Sequence, residues 1–166
     1  MEDLRDELCE RRRAARTLTA AQEQWAQQVE LLLDTVKSLL RPLTDDQLLV
    51  WREARFYADW RGRVCESTHD GWAAGWLPGL RFFVTTEPSR VYLLRPAAAD
   101  PYADVVCEGE TPDGPHERSS CLFMFTDGSG GVHWHVKVNP CGARDSGPLT
   151  EATFAEMLKY LMHAPA

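Results

Sequence analysis

The sequence predicts an α+β protein: a long N-terminal coiled-coil-type helix, a short helix, an antiparallel β-sheet of about four to five strands and a closing C-terminal helix. Three observations predict it. The first forty residues keep an apolar rhythm that alternates between four and three. From about Val64 the apolar period drops to two, in short runs separated by turn-forming residues. The last apolar stripe, Phe154 to Met162, returns to helical spacing behind a threonine. Strands gathered ahead of one closing helix argue for antiparallel pairing.

The N-terminal rhythm runs through Leu4, Leu8, Arg11, Ala15, Leu18, Gln22, Trp25, Val29, Leu32, Val36, Leu39 and Leu43. All but Arg11 and Gln22 are apolar, the pattern of a coiled-coil seam. A seam of that length needs a partner helix, so Leu4, Leu8, Leu18, Trp25, Val29, Leu32, Val36 and Leu39 are expected to drive association. Arg11 and Gln22 would then bias register or partner choice, with Glu7 four residues ahead of Arg11 suited to an ion pair. Thr19-Ala20-Ala21-Gln22 reads as a capping box that would split the run into helices near 2–16 and 20–41. The unbroken phase across Thr17 to Thr19 favours one continuous helix. Pro42 is expected to end it.

Thr44-Asp45-Asp46-Gln47 reads as a second capping box, predicting a helix over about 45–60 that carries Leu48, Leu49, Trp51, Phe56, Tyr57 and Trp60. Two β-rich runs follow, Arg81–Thr86 and Arg90–Arg95. Joined across Glu87-Pro88-Ser89-Arg90, they would pair Phe83 with Leu94 and Thr85 with Tyr92. Asp104–Glu108 is a shorter strand, and residues 109–118, with two glycines and two prolines among charges, read as a mobile loop. Ser120–Thr126 and Val132–Val138 form a hairpin around Asp127-Gly128-Ser129-Gly130-Gly131. Matching Phe125 with Val132 would put Phe123 beside Trp134 and Cys121 beside Val136 on an apolar face. His133 and His135 would then lie opposite, beside Met124 and Leu122. Ser120–Thr126 is apolar on both faces and is expected inside the sheet. Thr150 caps the final helix, near 150–163, whose stripe should pack on a sheet face.

The 166 residues suit one modest domain plus an extension, divided as a partner helix over 1–42 and an α+β head over 43–166. The head is expected to fold by itself, since a core of about 120 residues suffices. A net charge of −7, from 25 acidic against 18 basic side chains, repels a phosphate backbone and argues against nucleic acid. No run approaches the roughly 18 apolar residues that span a bilayer, and charge begins at Glu2 without a signal-peptide core. These features place the chain in the cytoplasm, or the nucleus of a eukaryote. Five cysteines, odd in number and scattered, read as reduced thiols.

Few residues suggest chemistry. His133 and His135 flank Trp134, which on a strand sets both imidazoles on one face about 7 Å apart. That pair could hold zinc or copper if Cys141, His116, Cys107 or Asp127 supplied a third ligand, but none stands at a diagnostic spacing. Two polar residues on the outer face of a hairpin, in step with Lys137, are the reading the sequence favours. Cys65 and His69, four apart, lack the C-x-x-C of a metal site. The loop at 127–131 lacks the Lys-Ser/Thr of a phosphate cradle and leads into a strand. Arg11-Arg12-Arg13 with Arg16 is basic, though Arg11 falls on the seam. Trp72 and Trp76, set among glycines and alanines, are the aromatic pair expected at a partner surface.

The sequence therefore reads as a non-enzymatic adaptor or assembly protein without cofactor or metal. Its heptad helix would dimerise or join a hetero-complex, and its aromatic-rich head would bind a second protein. The topology resembles the small α+β heads of coiled-coil adaptor proteins. The alternative is a small-molecule- or metal-binding domain, or an enzyme, centred on His133 and His135.

Overall fold

A computed structural model describes residues 1–16, 20–58, 63–66, 77–98, 102–111, 114–139 and 147–163, and of these the backbone alone at 12–16, 58, 102–111 and 114–117. The helices are α1 (Glu2–Arg16), α2 (Ala20–Asp45) and α3 (Glu151–Met162). The strands are β1 (Leu49–Ala58), β2 (Val64–Glu66), β3 (Leu77–Val84), β4 (Val91–Pro96), β5 (Tyr102–Thr111), β6 (Gly114–Thr126), β7 (Val132–Lys137) and β8 (Gly147–Pro148). All eight join one antiparallel sheet in the order β2-β1-β3-β4-β5-β6-β7-β8. The class is α+β as expected, with a larger sheet. The N-terminal region is described as a short helix and a long one; whether they join lies with residues 17–19, outside the described residues.

Pro42 lies within α2 and does not end it. The carbonyl that its missing N–H leaves unbonded belongs to Ser38, an exposed residue. The helix closes one turn later, where the Leu48 N–H donates to the Leu43 carbonyl and the Gln47 N–H to that of Thr44. Gln47 takes the left-handed position of this closure, with φ 58°. The Thr44–Gln47 box is thus the end of one helix, not the start of another.

Residues 49–58 form a strand, which corrects the helix expected over 45–60. Leu49, Ala54 and Phe56 are buried, while Val50, Arg52, Arg55 and Tyr57 are exposed. The apolar positions of this segment follow no single period, and pairing with β2 and β3 decides for the strand.

Residues paired across neighbouring strands share a face. One face carries Trp51, Phe82 and Tyr92 in a row, then Leu80 with Leu94, Leu122 with Val136, and Met124 with Trp134. Phe82 and Tyr92 stack with centroids 5.1 Å apart. α2 and α3 cover this face. Lys37 of α2 sits 5.1 Å above the Trp51 ring, and Trp25 packs on Trp134 at 6.1 Å while its Nε1 donates to the Ala97 carbonyl. Val29, Leu32, Val36 and Leu40 are fully buried there with Phe154, Met157 and Leu161 of α3. One core therefore crosses the division drawn at residue 42.

α3 begins at a capping box between Thr150 and Thr153. At its other end Arg118 donates to the Tyr160 carbonyl and Arg90 to that of Met162, which satisfies orphan acceptors and sets two cations at the negative pole.

Both hairpin registers differ from expectation. Phe83 pairs with Val91 and Phe82 with Tyr92. The link contains two successive turns, Glu87 N–H to the Val84 carbonyl and Arg90 N–H to the Glu87 carbonyl, so the strands separate earlier. In the β6–β7 hairpin Thr126 pairs with Val132 and Phe125 with His133. Gly130 takes φ 83° after the turn that its N–H closes onto the Asp127 carbonyl, and the Asp127 N–H donates to the Gly131 carbonyl. That closed loop shifts the register by one residue, which turns Leu122 and Met124 to the core and Phe123 and Phe125 to the other face. β6 lies inside the sheet as expected, and residues 109–111 and 114–118 are strand rather than loop. Their polar, turn-forming composition lowers strand propensity; ladder pairing from Gly109 with His116 to Thr111 with Gly114 overrides it.

Candidate functional site

The heptad stripe divides between two environments. Trp25, Val29, Leu32 and Val36 are buried on the sheet, and Leu39 packs partly buried against the same core. This chain's own sheet thus covers the stretch for which the spacing demands a partner helix. The reason is geometric: one apolar helical stripe fits a sheet face as well as a second helix. Leu4 and Leu8 on α1 remain about half exposed, at 49% and 53%, and Met1 extends the row. Arg5 and Cys9 border the same shallow patch, and Arg11 pairs with Glu7 at 2.5 Å. Leu18, Trp72 and Trp76 lie outside the described residues.

The histidines occupy the face of β7 away from the helices. His133 Nε2 is 2.6 Å from Asp127 Oδ2, and Phe125 meets the His135 ring edge-on at 4.7 Å. Asp127 Oδ1 accepts from the Ser129 N–H, the Ser129 hydroxyl and the Gly131 N–H. These bonds, the Ser129 hydroxyl first and His133 next, hold the Asp127 carboxyl well below the usual aspartate range. The one candidate third ligand described with its side chain is therefore engaged in organising the turn. Among the described residues no group of three or more His, Cys, Asp or Glu is placed to hold a metal. Cys141 and His69, and the side chains of Cys107 and His116, lie outside what is described. Sequence reasoning did not anticipate the Asp127–His133 contact, because it depends on the one-residue register of the hairpin.

No helix among the described residues is long and apolar enough to cross a membrane. Comparison with protein-family models, curated proteins and solved structures finds no match for this chain.

Proposed function

We propose that this chain is a non-enzymatic association protein and that α1 is the element which meets a partner helix. The observation that carries this reading is the division of the heptad stripe. α2 spends its apolar face on the sheet, while Leu4 and Leu8 stand half exposed on a helix with Glu2, Asp3, Asp6 and Glu7 around them. An amphipathic helix whose apolar row is half exposed gains stability by pairing, at roughly 1 kcal/mol per half-exposed leucine buried. The partner is a second copy or another helix bearing a similar row. A further contact through Trp72 and Trp76 rests on the sequence alone.

The test is Leu4→Asp with Leu8→Asp, followed by light scattering across a concentration series. Association should weaken by at least about tenfold, since charge enters the contact and apolar area leaves it. The melting temperature of the dilute protein should stay where it was. A wild type that remains monomeric at hundreds of micromolar would end the self-association form of the proposal.

A further inference from the structure

A second uncovered apolar surface lies far along the chain from α1. Where α2 ends, β1 begins and α3 passes above, a groove of about 390 Å³ opens. Its floor is Leu49 and Leu158, both buried, and Leu48, half exposed, stands on its rim with Ala155 and Met162 nearby. This size and almost wholly apolar lining match small-molecule sites, which span about 300–1,000 Å³ and carry few polar groups.

The few polar groups say what would enter. Lys159 is the one charged residue of the lining, and no ion pair engages it among the described residues. Thr86 also lines the groove and its hydroxyl has no partner among the described residues, whereas the Thr85 hydroxyl is spent on the Gln47 and Leu48 carbonyls. A neutral hydrocarbon would leave that cation unused, and a cationic amphiphile would be repelled by it.

We infer that this groove binds the hydrocarbon chain of an unbranched fatty carboxylate, with its head group at Lys159 and Thr86. At the roughly 30 Å³ that a water-sized group occupies in a liquid, the groove holds about a dozen such groups, a chain near dodecanoate. The inference is independent of the α1 proposal, since the two surfaces share no residue.

The test is calorimetric titration of the full chain with octanoate, decanoate and dodecanoate below their micelle concentrations. Affinity should rise about fourfold per added methylene, with one site per chain. Ala155→Phe, at an exposed helix position, should fill the groove and abolish binding while the melting temperature holds. Lys159→Gln should weaken dodecanoate at least tenfold and leave dodecanol unchanged. Absence of saturable dodecanoate binding overturns the inference, as does binding that survives Ala155→Phe. Equal loss of dodecanol and dodecanoate in Lys159→Gln overturns the head-group assignment and the ligand class with it.

Discussion

Asp127 illustrates how one exposed side chain sets the register of a strand pair. It is the common acceptor for Ser129, Gly131 and His133, and the loop it holds decides which face of β6 meets the core. Because its folded carboxyl is held below the ordinary value near 3.8, the stability it adds is fully present above that value. That contribution fades as pH falls through the unfolded value towards the lower folded one. Asp127→Asn should therefore lower the melting temperature at pH 7, and the gap from wild type should narrow below about pH 4. A gap that stays constant from pH 7 to pH 3 would show that the charge of Asp127 plays no part. Gln47 is the converse case, a non-glycine held at φ 58° to close α2. Gln47→Gly should raise stability by up to about 1 kcal/mol in urea unfolding, by relieving the left-handed conformation. Gly79 has no such freedom: a Cβ there would lie 2.6 Å from the Leu94 carbonyl oxygen and collide with the Phe56 ring. Gly79→Ala should cost about 2 kcal/mol, read as a lower urea midpoint at unchanged slope.

The two N-terminal helices carry one rhythm and two fates. Leu32 and Val36 are fully buried under the sheet, whereas Leu8 is half exposed. Leu32→Ala should cost about 3 kcal/mol of folding stability, and Leu8→Ala should stay within about 0.5 kcal/mol. Equal effects of the two in chemical denaturation would contradict the packing described. Charge placed at Leu32 and Val36 should unfold the protein rather than merely dissociate it. Composition also hides the nature of β1. Leu49 shares the strand face of Trp51, whereas the buried Ala54 and Phe56 fall on the alternate positions, so no single period marks the segment, and Trp51 becomes informative only beside Phe82.

In the whole molecule, a single core joins α2, the sheet and α3. A chain beginning at Ala20 should keep its melting temperature to within a few degrees. One beginning at Leu43 should lose cooperative melting, because Phe82, Tyr92 and Leu94 would lose the Leu32–Val36 cover. A sharp transition in the shorter chain would restore the view of residues 43–166 as an independent head.

Local pattern was enough to place α3 with its Thr150 cap, the strands around Phe82, Tyr92 and Trp134, and the amphipathic face of α2, since each depends on neighbours within one or two turns of chain. What covers that face was not local. A stripe of leucine and valine carries the same spacing whether it meets a helix or a sheet, so only the assembled strands could decide between a partner and a core. The same holds for the hairpins, where a slip of one residue exchanges two apolar faces that β6 supplies almost equally, Leu122 and Met124 against Phe123 and Phe125. The spacing of Leu4, Leu8 and Leu48 likewise carries no sign that they stay exposed while Leu32 and Leu49 are buried.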